Sequence, residues 1–279
     1  MPEFSASDAA LEGFQVIRSH WRIVLGWCLF ALVGYLSLVV VTAVAILIAA
    51  FAVSTRDQAG TVGGLIGGVV LGLGGVAVQA MVVTALYRMN LRPQGAPGLF
   101  YLRVSRDEGR LLVLWAVLLA LFAALMTAGF VLLQRLEAFG GLAVTAATLL
   151  FLALVVWLSI RLSLAGPANF ALGRLGLAQS WRLTRGRFWA LFGMVALAVC
   201  LLLLIAVVLF IVTAVIQAAI GGFHTLAPVS LSDRQALVER PGAYVFALIA
   251  ELAIAPIYLV IGQTPFVAAF QALAQTEET

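Results

Sequence analysis

Six apolar runs, at about 23–52, 62–87, 111–133, 141–164, 188–219 and 243–272, alternate with short polar segments along the chain. Each is at least as long as the roughly twenty residues a helix needs to cross a bilayer core. The pattern predicts an all-α polytopic integral membrane protein, with residues 1–279 forming a single six-helix transmembrane domain. The first and fifth runs are longer than a crossing requires, so those helices tilt, enter the interface or project beyond it. Ahead of the first run, Leu11, Phe14, Ile17 and Trp21 recur at helical spacing beside Glu12, Arg18 and Arg22. With Ser7 or Asp8 placed to cap it, this segment predicts an amphipathic helix over 8–21 lying in the interface plane.

The polar segments give the pattern a direction. All 16 basic residues are arginine. Twelve of them (Arg18, Arg22, Arg88, Arg92, Arg103, Arg106, Arg110, Arg161, Arg174, Arg182, Arg185 and Arg187) fall on one side of the six-span pattern. Only Arg56, Arg135, Arg234 and Arg240 fall on the other. Segments flanking spans on the cytoplasmic side carry an excess of Lys and Arg, so both termini and the connections at about 88–110 and 165–187 are expected in the cytoplasm. The external loops are then about 53–61, 134–140 and 220–242. Trp21, Trp27, Tyr101, Trp115, Trp181 and Trp189 suit the headgroup level.

A similar unit occurs three times. Phe14 to Arg22, Phe100 to Arg110 and Ser180 to Arg187 each place an interfacial stretch and arginines ahead of an outward span. Shared repeat ancestry and convergence under the same interfacial chemistry both account for it.

Composition sharpens the class. The chain is 64% hydrophobic and 10% charged, with a mean hydropathy of +1.14. What remains outside the spans is too small for a separate globular domain. The pI of about 9.6 does not point to nucleic acid, because the basic residues sit at membrane edges, where they meet anionic phospholipid headgroups. The abundance of Ala, Gly, Val and Leu without lysine suggests a GC-rich bacterial genome, and hence the bacterial inner membrane. The acidic start, MPEFSASDAALEGF, lacks the basic region of a cleaved signal, so the first span is expected to be retained.

The polar residues inside the runs are the candidates for function. Glu251 is the one acid deep within an apolar run. A charged carboxylate near mid-bilayer costs about 2.5–3.5 kcal/mol on insertion scales, so it should be neutral, paired or wet. It is either a site for a proton or cation, or a structural hydrogen-bonding group between helices. Pro256 and Pro265 are each placed to kink the same span. Gln79, Gln217 and Gln263 read as hydrogen-bonding groups between helices or as substrate contacts. Arg161, at the inner end of the fourth span, either snorkels to the surface or forms a buried ion pair. Gly60, Gly64, Gly68 and Gly72 recur every fourth residue and form a smooth edge for helix packing, within the chain or as a seam to a second copy.

Searches for chemistry return nothing. His20 and His224 fall on opposite sides of the membrane. Cys28 and Cys200 lie in apolar runs without metal-ligand spacing, and no Ser/His/Asp set is present. The glycine-rich span lacks the Lys-Ser/Thr of a phosphate loop. No catalytic, metal or cofactor residue is therefore assigned, and a non-enzymatic protein is expected.

One segment is more specific. Arg161-Leu-Ser-Leu-Ala-Gly-Pro167 is followed by Ser180-Trp-Arg-Leu-Thr-Arg-Gly-Arg-Phe-Trp189 and Leu191-Phe-Gly193. Over about 157–195 this resembles the membrane domain attached to some bacterial glycerophosphoryl diester phosphodiesterases, and related stand-alone six-span inner-membrane proteins. The soluble phosphodiesterase domain is missing here, so the resemblance implies fold and location and lends no catalytic residues. Physically, Ser180 is placed to cap a short helix and Gly186 to turn it into the upright span. Arg161, Arg182, Arg185, Arg187, Trp181 and Trp189 are the lipid-headgroup candidates. The leading expectation is an inner-membrane protein of lipid or envelope organisation that binds anionic lipid through its arginine-rich segments. Alternatives are a small secondary transporter using Glu251 in a proline-broken sixth span, and a membrane scaffold for a partner enzyme. A homo-oligomer is compatible with each.

Overall fold

The structure, a computed structural model, describes residues 5–52, 56–92, 99–221 and 238–278. Parts of the expected loops at 53–61, 88–110 and 220–242 lie outside the described residues, as do His224 and Arg234. The described chain is all-helical, and six of its helices are long and apolar enough to cross a membrane. Helices satisfy every interior backbone group within the segment, which a bilayer core demands.

In chain order the helices are α1 (Ala6–Ser19), α2 (Trp21–Ala52), α3 (Arg56–Leu91), α4 (Arg106–Leu136), α5 (Gly141–Leu162), α6 (Ala165–Leu172), α7 (Leu177–Leu183), α8 (Phe188–Gly221) and α9 (Pro241–Glu278). α1 starts two residues earlier than expected: Ser5, not Ser7 or Asp8, is the cap, its hydroxyl accepting the Asp8 N–H at 3.3 Å. α4 begins at a full capping box, with Ser105 and Glu108 serving each other's backbone groups. α6 ends at Gly173 (φ +64), and the turn from α7 into α8 passes through Gly186 (φ +79), the positive φ expected there.

α9 is the hub, packing on α1, α2, α3 and α8, while α4 and α5 form a hairpin at the edge. The buried side chains gather at the arginine-rich end. Trp27, Val82 and Leu86 make one cluster, Leu164, Leu191, Met194 and Leu273 a second, and Tyr87, Leu111, Leu114 and Val267 a third. Beyond this end the spans carry exposed apolar faces, such as Leu203, Leu204 and Val207 on α8.

α1 is not simply laid on the interface. Ala9, Ala10 and Val16 are buried, and a Cβ on Gly13 would come 2.9 Å from Ile261 Cα of α9. Leu11 stays exposed. Burial also pushes the Glu12 carboxyl above its ordinary pKa. Ahead of α4 the corresponding segment is only a tight turn at Leu99–Tyr101, with Phe100 at φ 56. The Phe100 ring fills the place a Cβ on Gly26 would take, and its carbonyl accepts the Trp27 indole N–H at 2.8 Å. Trp27 is therefore fully buried rather than at the headgroups.

The glycine edge is the main correction. Gly60, Gly64, Gly68 and Gly72 are exposed, and a Cβ on any of them would meet nothing within 4 Å. The packed edge is the neighbouring one: a Cβ on Gly63 would meet Ile46, on Gly67 Thr42, on Gly74 Leu38 and on Gly75 Tyr35. α2 takes this edge because Tyr35, Leu38, Thr42 and Ile46 form a helical row whose side chains fit its notches. At the periphery, Phe151 lies against Gly129 and closes the α4–α5 hairpin.

Candidate functional site

The two halves of the Arg161–Trp189 motif fold onto each other. Arg161 is in the last turn of α5 and Ser180 is in α7. Ser180 is inside that short helix rather than capping it. Its hydroxyl is fully buried and donates to the Arg161 carbonyl at 2.8 Å, tying α7 to α5. The Arg161 guanidinium lies 5.4 Å from the ring centres of both Trp157 and Trp181, which meet edge-on at 5.3 Å. Its Nη1 reaches the Thr184 hydroxyl at 3.5 Å, and its buried Nε has no partner. Arg161 thus forms no ion pair with a described residue; its delocalised cation is held instead beside two indole rings.

The other headgroup candidates form an outer rim. Arg182, Arg185 and Arg187 are exposed, as is Trp189 at 78%, while Trp181 turns one face to Arg161 and leaves 42% exposed.

A second arginine site was not singled out from the sequence. Arg88 is buried and donates to the carbonyls of Tyr101 (3.2 Å) and Arg103 (3.1 Å), to the Ser105 hydroxyl (2.8 Å) and to Glu108. Thr84 donates to the same Glu108 oxygen at 3.0 Å. Arg92 lies over the Phe170 ring at 5.0 Å and donates to the carbonyls of Phe170 and Ala171, both at 3.2 Å. Several of the topology-setting arginines therefore fasten the connections at this end of the bundle.

Towards the other end, a cavity of about 760 Å³ opens between α3, α8 and α9. α3 and α8 lean on α9 rather than on each other, and the gap between them exposes the α9 face. Small residues keep it hollow: Ala206 on α8 and Ala247, Ala250 and Ala255 on α9. Three of the four intramembrane candidates converge here: Gln79 from α3, Gln217 from α8 and Glu251 from α9, joined by Thr213 and Tyr258. The fourth, Gln263, is elsewhere and accepts the Tyr87 hydroxyl at 3.1 Å. Gln79 also donates to the Tyr35 hydroxyl at 3.3 Å, so it links α2 and α3 as well as facing the cavity.

Glu251 is exposed to this space and has no hydrogen bond or ion pair to a described residue. The sixth span is not broken beside it, because Pro256 and Pro265 both lie inside the continuous helix α9. Sequence spacing carries the convergence in outline. Ala206, Phe210, Thr213 and Gln217 on α8, and Ala247, Glu251, Ile254 and Tyr258 on α9, follow the same four–three–four helical phase.

The cavity's chemistry is mixed. Apolar walls accept hydrocarbon, and one carboxylate, two amides, a hydroxyl and a phenol accept or donate hydrogen bonds. Among the described residues no arginine lines it. Compared with known protein families, with curated proteins and with solved structures, the chain matches none.

Proposed function

We propose that this protein is a non-enzymatic lipid-binding protein of the bacterial inner membrane, with its arginine-rich end in the cytoplasm. The observation that carries the reading is the cavity between α3, α8 and α9, whose apolar walls and few polar groups suit an amphiphile entering from the bilayer. Its single carboxylate favours a headgroup that carries an amine or hydroxyl donors and disfavours a bare phosphate. Anionic phospholipid belongs at the opposite end, on the exposed rim of Arg182, Arg185 and Arg187 beside Trp181 and Trp189. The resemblance over 157–195 agrees with a lipid setting.

Lipid extracted from the purified protein and weighed by mass spectrometry tests this. Ala250→Phe places a ring inside the cavity and should displace one class of co-purifying amphiphile while the protein stays folded. An unchanged lipid complement in the folded Ala250→Phe variant would refute the reading.

A secondary transporter is the second reading, favoured by Glu251, which opens onto the cavity with no hydrogen bond or ion pair to a described residue. Glu251→Gln separates the two. A lipid site keeps most of its occupancy with the amide, whereas a proton-coupled carrier loses pH-driven uptake in proteoliposomes, since an amide carries no proton.

A further inference from the structure

We propose that a cleft between the start of α4 and the α6–α7 turn binds the phosphoryl group of a membrane phospholipid. The cleft, of about 510 Å³, is lined by Arg106, Gly109, Arg110 and Val113 of α4 and by Gly173, Arg174 and Leu175 of the turn. It lies at the arginine-rich end, apart from both the α3/α8/α9 cavity and the α7 rim.

Three arginines line this space and are poorly compensated. Arg110 pairs with Asp107 at 3.3 Å, but Asp107 also lies 3.8 Å from Arg88. Arg106 and Arg174 are exposed and have no ion pair or hydrogen bond to a described residue. Arg106 and Arg110 also occupy the first turns of a long helix, where the macrodipole is positive and cations are disfavoured. Two glycines make the space. Gly173 lets Arg110 Nη1 lie 3.2 Å from where a Cβ would stand, and beside Gly109 a Cβ would meet nothing within 4 Å. An anion with several acceptor oxygens meets this demand, and guanidinium forks match phosphate oxygens in pairs.

The surroundings select the lipid source. Val113 is 53% exposed and Leu175 48%, so apolar surface adjoins the guanidinium groups where an acyl chain would leave a headgroup. A soluble phosphate has no use for that surface.

The test uses the full chain in neutral detergent, titrated with phosphatidylglycerol and, separately, with inorganic phosphate, and read by native mass spectrometry. Arg106→Gln combined with Arg174→Gln leaves the Arg110–Asp107 pair intact. It should weaken one bound phosphatidylglycerol roughly tenfold, about the loss of one good charge-assisted contact. Binding of diacylglycerol, which lacks the phosphate, should not change. Gly109→Glu puts a carboxylate into the open space and should produce the same loss, which guards against misfolding of the double variant.

Displacement of the lipid by millimolar inorganic phosphate, lost in the same variants, would keep the phosphoryl chemistry but overturn the lipid source. Unchanged phosphatidylglycerol and phosphate binding in the folded variants would overturn the proposal. Ala250→Phe, which obstructs the other cavity, should leave this titration as it is, so the two readings fail separately.

Discussion

At the scale of single residues, the arginines do two jobs, and burial separates them. Arg88 is held by three loop oxygens and Glu108, with Asp107 farther off at 3.8 Å, so removing Glu108 takes its nearest counter-charge from a buried guanidinium. Glu108→Ala should therefore cost about 3–5 kcal/mol. Thermal unfolding in detergent checks this, and Arg88→Met with Glu108→Leu together should cost less than the sum of the single changes. Arg161 is held by two indoles, so Arg161→Gln should cost about 2 kcal/mol, the scale of a desolvated cation–π contact. Arg161→Lys should recover only part, because a compact, strongly hydrated ammonium cannot stay beside both rings and also reach the Thr184 hydroxyl. Both sites were partly legible. Ser105-Arg-Asp-Glu108 is a capping-box sequence ahead of an apolar run, and Trp157 stands one helical turn before Arg161. That Trp181 closes the cage from another helix depends on how α7 folds back, which no local pattern encodes.

At the scale of elements, the apolar runs located all six long helices because the bilayer leaves the backbone no other choice. The glycine-rich helix shows where that logic stops. α3 carries two adjacent glycine edges, and only α2's row of Tyr35, Leu38, Thr42 and Ile46 decides which is used. Leucine at Gly64 or Gly68 should leave thermal stability in detergent unchanged, whereas leucine at Gly74 should lower it by about 1–3 kcal/mol through overpacking. A loss at Gly64 comparable to that at Gly74 would mean that another helix seats on the outer edge. The docking of α1 adds a pH dependence. Burial raises the folded-state pKa of Glu12, so the contribution of this group is fully present below the ordinary carboxyl value and is lost as pH rises through the raised one. Glu12→Gln should then be the more stable form at neutral pH, and melting curves taken across the acidic range should show the gap close as pH falls.

At the scale of the whole molecule, side-chain packing is concentrated at one end and lipid-facing surface at the other. The arginine-rich end holds the three large buried clusters and the fastened connections, and the cavity lies towards the other end. The proposed orientation, with the arginine-rich end in the cytoplasm, rests on the arginine asymmetry. Cysteines placed at exposed Arg185 and Ala138, in a background without Cys28 and Cys200, should react with an impermeant reagent from opposite sides of the membrane. Reaction of both from one side would overturn the topology. Gln79, Gln217 and Glu251 each stood out in the sequence as polar insertions, but their meeting depends on α3 and α8 leaning on α9 from either side, a tertiary fact. The central claim, that this meeting place holds a membrane amphiphile, is tested most directly by a density map of the protein in nanodiscs formed from its native lipids. Elongated non-protein density should run along Phe210 and Ile254, with its polar end at Glu251 and Gln217. A cavity at the same resolution filled only by ordered water, or closed by collapse of α8 onto α3, would contradict the account.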